Sequence, residues 1–393
     1  MFRHLQIPNA RERLLVGLAD TALRPLAWRR RRRPVDRVAR VLLLRLERIG
    51  DLLMTLDAIA LLRRLAPDAE VDLVVGSWNR ELAALIPGLS RVETLDVPWL
   101  ARDAAGMQWT HLVGHALGWR PRGYDLVINF EPDIRSNLLA RLSGATRRAG
   151  YWTGGGGALL SDAIAYEPAR HVRENADRLV RDAFGANGAT EARTASRLAI
   201  PADARLRADA ILPRVPARLI GVHPSGGRPS KQWHPDRFAE SVRVLAERHG
   251  ATIVLTGSAA DRPLVDEVAR RLDPARYVDV AGRVDLVTLA AVLARLDLLV
   301  TGDTGPMHLA AAVGTPVVAL FGPSNPVRYG PAGDGHEVLR IDLPCSPCGL
   351  VRLPPVRCRN RVPECLDGIG VDAVVAAAER VLNRRSGAGR TTV

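Results

Sequence analysis

At 393 residues the chain is too long for one ordinary core and suits two α/β domains with added termini. Its 47% hydrophobic and 25% charged residues exclude a disordered chain, and charges interrupt every apolar run well before the roughly 20 residues that cross a bilayer. A net charge of +13 with only 4% aromatics, and no interleaving of basic and aromatic residues, points to an anionic inner-leaflet surface and away from nucleic acid.

Residues 1–40 read as a basic, partly helical appendage. Its amphipathic stretch 14–28 is broken by Asp20 and Arg24 and lacks a small-residue cleavage site, which argues against a signal peptide. Five consecutive arginines follow at 29–33 and are the densest charge in the chain. An N-terminal domain is expected over 41–200. Residues 41–46 form an apolar run suited to a buried parallel strand, Gly50 turns the chain, and 51–65 carries leucines at helical spacing. Strands at 71–75, 92–95 and 125–129 alternate with helices at 80–86 and 134–142. A glycine-rich loop occupies 151–157, and an Ala-, Arg- and Pro-rich linker is expected near 201–217.

A second domain, 217–383, repeats the alternation. Strands are expected at 219–223, 252–256, 298–301 and 317–321, and helices at 235–249, 263–272, 286–294, 306–313 and 372–382. The pattern predicts an α/β fold of two Rossmann-like, doubly wound domains facing a cleft. Ligands in such sheets bind beyond the carboxyl ends of the strands, so the loops after strands carry the chemistry.

Three such loops stand out. Thr301-Gly-Asp303-Thr304-Gly305-Pro-Met-His308 leaves a buried strand and opens a helix; free amides, the helix dipole and two glycines suit a diphosphate, and His308 adds a donor in the first turn. His223-Pro-Ser-Gly226-Gly-Arg-Pro-Ser-Lys231-Gln-Trp also follows a strand, with glycines for close approach and a mobile cation. Lys231 is the only lysine among 55 lysines and arginines, as expected where a compact ammonium cannot be exchanged for a planar guanidinium. In the first domain, Arg45-Leu-Glu-Arg-Ile-Gly50-Asp51 places a carboxylate at a helix start, either as a plain cap or as a general base for an attacking hydroxyl.

Gly50-Asp51, the stretch 125–151 (DLVINFEPDIRSNLLARLSGATRRAGY), Lys231-Gln-Trp, and Asp303-Thr-Gly-Pro-Met-His308 through Phe321-Gly-Pro together resemble glycosyltransferase family 9, which contains the lipopolysaccharide heptosyltransferases. The resemblance covers about residues 40–383. It implies the GT-B type of two-Rossmann fold, an inverting reaction needing no metal, ADP-heptose as donor substrate and a lipopolysaccharide core or other envelope glycolipid as acceptor. By that resemblance Asp51 is the base, and Lys231 lies near diphosphate and sugar. Asp303, Thr304, Gly305 and His308 contact sugar and phosphates. Gly226 is the phosphate-loop glycine, Val284 meets adenine through its main chain, Asp261 is an acidic candidate for the ribose, and Arg135 is basic on the acceptor side. The sequence departs from the family where Glu47-Arg48 stands for an often small and polar pair and where a common helix proline is replaced near Asp57.

All four cysteines fall in Cys345-x2-Cys348-x9-Cys358-x6-Cys365, within 345–365 and outside the donor loops; structural zinc, reduced thiols and a disulfide all remain open. The expected enzyme is a cytoplasmic glycosyltransferase, peripheral on the inner membrane. Rival readings on the same scaffold are a nucleotide-sugar epimerase or hydrolase, and a non-catalytic basic protein binding membrane or RNA.

Overall fold

A computed structural model describes residues 2, 4–27, 37–100, 108–186, 196–213, 218–348, 358 and 363–387. The five arginines at 29–33 lie outside them. The chain divides into two compact units, Met1–Ser196 and Arg197–Val393. The stretch anticipated as a linker contains the helix Ala202–Ile211, which packs on the helix Leu286–Arg295 of the second unit, so that division falls earlier in the chain.

The first unit is a six-stranded, wholly parallel sheet. Its strands are β1 (Arg40–Arg45), β2 (Glu70–Val75), β3 (Arg91–Thr94), β4 (Leu126–Asn129), β5 (Arg147–Tyr151) and β6 (Asp162–Ile164), in the order β3-β2-β1-β4-β5-β6. Val41, Leu42, Leu43 and Leu44 are fully buried, as expected of a strand covered on both faces. The helix foreseen over 51–65 is two helices, α2 (Ile49–Leu53) and α3 (Leu56–Leu65), separated at Met54 and Thr55. Asp57 of α3 accepts from the Ser196 amide at 2.7 Å and pairs with Arg173, so it holds the end of the unit.

The N-terminal segment belongs to this unit. Helix α1 (Ala10–Ala27) is started by Asn9, whose Oδ1 accepts from the amides of Arg11 and Glu12 at 2.9 and 3.1 Å. It lies on the glycine-rich loop, where Gly156 N–H donates to Asp20 Oδ1 at 2.6 Å. A Cβ on Gly155, whose φ is +91°, would meet Val16 Cγ1 at 2.3 Å, so only glycine allows this approach.

The second unit repeats the plan with β7 (Leu219–His223), β8 (Thr252–Leu255), β9 (Tyr277–Asp279), β10 (Leu298–Gly302), β11 (Val317–Leu320) and β12 (Glu337–Leu339). Their order, β12-β11-β10-β7-β8-β9, is the same Rossmann order read from the other edge, again all parallel. Its core joins the helix Pro235–His249 and the last helix, Val371–Gly387, to the sheet through Phe238, Leu245, Val374 and Leu382.

In each unit the strand order reverses at one place, between β1 and β4 and between β7 and β10. At a reversal the flanking crossovers run to opposite faces, leaving a crevice beyond the strand ends. The loops singled out in the sequence emerge there.

Candidate active site

In the second unit β7 and β10 are neighbours, with His223 paired to Thr301, so the two loops leave the sheet side by side. The β7 loop doubles back through a 3-10 turn at Pro229–Lys231. Gly226 lies beneath that turn, where a Cβ would be 2.5 Å from the Lys231 carbonyl. The turn delivers Lys231 Nζ to Asp303, 2.5 Å from Oδ2 and 3.1 Å from the carbonyl oxygen. An ammonium has three donors, and one remains for a ligand. Both side chains are largely covered, at 17% and 10% exposure, which limits solvent screening of the pair.

Thr304 takes the position before the helix Gly305–Ala312 but does not cap it; its hydroxyl lies 3.4 Å from the Gly302 carbonyl and 3.3 Å from Thr301 Oγ1. The first amides of the helix thus receive no bond from Thr304, while buried His308 stands in the same first turn. Asp261, after β8, accepts from the Ser258 amide at 2.8 Å and the Ser258 hydroxyl at 2.6 Å. Burial opposes its charge, yet the hydrogen bonds from Ser225 and Ser258 prevail and lower its pKa; the Ser225 bond ties it to the β7 loop. Val284, half-buried, follows the tight turn at Gly282 (φ +69°) and precedes the helix Leu286–Arg295. The structure therefore gathers Gly226, Lys231, Asp303, Thr304, Gly305 and His308 at the β7–β10 reversal, with Asp261 and Val284 in loops beyond the next strands.

His223 ends β7 beneath these loops, fully enclosed, with Nδ1 3.2 Å from Thr256 Oγ1. Burial lowers its pKa from 6.5 to about 4, against the attraction of Asp261. The unfolded chain takes up this proton near pH 6.5 and the folded chain only near pH 4. This group therefore leaves stability unchanged above that window and lowers it as pH falls through it, by on the order of 3 kcal/mol at the acid end. Melting temperature measured from pH 7 down to pH 4 should fall less steeply in His223→Gln than in the wild type; parallel slopes would show that the imidazole is not held neutral.

In the first unit, Asp51 was expected to begin its helix but stands three residues beyond Arg48, with Oδ2 accepting from the Arg48 amide at 3.3 Å. Beneath it Arg45, 2% exposed, donates to Glu47 Oε2 (2.6 Å), the Phe130 carbonyl (3.0 Å) and the Asp51 carbonyl (3.0 Å), and lies 3.7 Å from Asp51 Oδ1. Burial works against the Arg45 charge, but Glu47, Asp51 and Glu131 outweigh it and raise its pKa. Glu131, just after β4, accepts from the Leu46 amide at 2.7 Å. Burial, then Glu47 and Asp133, push its pKa up, against Arg45. Arg135 is fixed by a two-pronged contact to Asp133 (3.0 and 2.7 Å) and stacks 4.8 Å over Trp99, with Glu12 of α1 3.6 Å away.

The Arg45–Glu131 network was not among the expected site residues. Its signal was present: Glu131-Pro-Asp133 directly follows a buried strand, as the other chosen loops do. The departure at Glu47-Arg48 is also accounted for. Glu47 meets buried Arg45 while its carbonyl accepts from Trp78 and Asn79 at 2.9 and 2.8 Å, and Arg48 donates to the Leu100 carbonyl at 2.8 Å.

Cys345 and Cys348 are exposed, Cys358 is half-buried and Cys365 buried. Burial and then the thiols of Cys348, Cys358 and Cys345 push Cys365 up to about 11, so the four lie within electrostatic reach of one another. Among the described residues no three His, Cys, Asp or Glu side chains form a group that could hold a metal ion.

Both units are doubly wound, and each carries an anchored charged loop at its strand-order reversal. Residues 113–352 match the model of glycosyltransferase family 9 (heptosyltransferase). The chain is 31% identical to lipopolysaccharide heptosyltransferase 1 of Pseudomonas aeruginosa over 327 residues, 79% of this chain and 86% of that protein. It is 24% identical to lipopolysaccharide heptosyltransferase 2 of Escherichia coli, over 75% and 85% of the two chains. The fold is shared with a family 9 glycosyltransferase from Veillonella parvula, with a TM-score of 0.76 at 24% identity over 88% of this chain and 98% of that one. The chain belongs to glycosyltransferase family 9 and is a glycosyltransferase.

Proposed function

We propose that the protein moves a heptose from ADP-heptose to a hydroxyl of a lipopolysaccharide core or related envelope glycolipid, with inversion, working at the cytoplasmic face of the inner membrane. The two relatives from Pseudomonas aeruginosa and Escherichia coli are lipopolysaccharide heptosyltransferases, which favours this over a non-transferring epimerase or hydrolase and over a basic binding protein. The observation that carries the reading is the Lys231–Asp303 pair beside a helix start left uncapped by its own threonine.

In the proposed reaction the second unit, Arg197–Val393, holds the donor and the first, Met1–Ser196, the acceptor. Lys231, His308 and the amides after Thr304 meet the diphosphate, Gly226 lets the β7 loop close on it, Val284 meets adenine through its main chain, and Asp261 is the candidate for the ribose. Asp51 takes the proton of the acceptor hydroxyl as that oxygen bonds the anomeric carbon; the bond from that carbon to the diphosphate breaks, and ADP departs with the electron pair. The negative charge gathering on ADP falls on donors already in place, so this route calls on no metal. Arg135, held by Asp133 and Trp99, presents a fixed cation toward an anionic acceptor.

ADP and ADP-heptose, added without metal at about a hundredfold excess over Kd, should raise the melting temperature by roughly 3–7 °C. The absence of a shift with any nucleoside diphosphate or nucleotide sugar, or a strict requirement for Mg²⁺, would count against this site.

A further inference from the structure

Helix α1 is packed inside out. Its 18 residues place Glu12, Val16, Gly17 and Asp20 on the arc facing the protein, where Asp20 meets the Gly156 amide, Val16 meets Gly155, and Glu12 approaches Arg135. A cavity of about 390 Å³ lies on this side, lined in part by Asp20, Thr21, Arg24 and Trp152. The opposite arc carries Leu14, Leu15, Leu18, Ala19 and Ala22, all exposed, with the three leucines at 45%, 68% and 51%. A helix on a water-soluble body ordinarily buries its apolar stripe and shows its polar one. Here that rule is reversed over two turns.

We propose that this leucine ridge docks on an anionic phospholipid surface, with α1 lying in the plane of the headgroups. Charge selects that occupant. Arg11 is exposed on the leucine arc, one turn before Leu14 and Leu15, the five arginines at 29–33 follow within a few residues of the helix in the sequence, and the chain carries +13 overall. Leucines beside arginines on an in-plane helix combine apolar insertion with attraction to acidic lipid. A second copy of this chain would instead bring two sets of like charges together. Among the described residues no helix is long and apolar enough to cross a membrane, so the contact is with the surface. The inference deepens the proposed function, on which it rests for its purpose: Glu12, on the inner arc, lies beside Arg135 on the proposed acceptor side, so docking would bring that side to the lipid.

The test is sedimentation of the full chain with phosphatidylcholine vesicles, with and without phosphatidylglycerol. The wild type should bind only the anionic vesicles and lose binding as salt shortens the Debye length. Replacing Leu14, Leu15 and Leu18 together with Gln keeps every charge and should cut partitioning about tenfold or more. Because all three are exposed, the melting temperature and the shift caused by ADP should be unchanged. Wild-type protein that ignores anionic vesicles at low salt, or a triple variant that binds them as well as the wild type, overturns the proposal. So does a self-association that the triple variant abolishes while vesicle binding persists. If ridge-dependent vesicle binding is found but no nucleotide sugar is bound or transferred, the docking surface stands and the proposed function falls.

Discussion

Asp51→Asn should lower kcat by roughly 10² to 10⁴, the usual worth of a general base, while the affinity for ADP-heptose and the melting temperature stay near wild type. The geometry separates these effects. An Asn carbonyl can still accept from the Arg48 amide that Asp51 now engages at 3.3 Å. Arg45, 3.7 Å away, retains Glu47 and two backbone carbonyls when the Asp51 charge is removed. What disappears is the ability to take a proton. Turnover near wild type in the Asn variant would reduce Asp51 to a helix-start acceptor. A large loss of stability would instead make its charge a structural partner of Arg45.

Lys231→Arg should lower kcat/KM by about 10²-fold and weaken ADP binding, although the charge is kept. One small ammonium now reaches both Oδ2 and the carbonyl of Asp303, at 2.5 and 3.1 Å, from a turn that Gly226 allows to close. A guanidinium is wider and planar. To satisfy Asp303 side-on it must push the 3-10 turn outward or project into the space left for the diphosphate. If the Arg variant binds ADP and turns over like wild type, the lone lysine among so many arginines is an accident of composition.

The loops proposed for the donor could be picked out because each signal was local. Buried strands read as apolar runs, and Gly226, Lys231, Asp303 and Gly305 are residue types whose chemistry does not depend on distant neighbours. The helices Ile134–Leu142 and Pro235–His249 kept their expected bounds for the same reason, since period and capping residues agree. Three features could not be read this way. Strand β5 begins Arg147-Arg148, which looks like solvated surface until Asp162 on β6 is seen to pair with buried Arg147 at 2.9 Å. The carboxyl of Glu131 is pushed up by burial and then by Glu47, more than 80 residues earlier, an environment created only by the β1–β4 pairing. The period of α1 shows that it has two faces, but not which one the protein keeps: that was decided by Gly155 and Gly156, which leave room for the helix and an amide for Asp20.

The Lys231–Asp303 contact joins residues 72 apart in sequence, and what brings them together is the parallel pairing of β7 with β10. Parallel strands are not joined by a tight turn; β8, β9 and their helices lie on the intervening chain, so the loop must be closed before the pairing returns any energy. The site proposed for the donor therefore cannot form early as the chain folds. A nascent chain halted after the β7 loop but before β10 has emerged and paired holds the lone lysine and the complete glycine turn without Asp303 to meet them, so the proposed site waits until most of the second unit has been made.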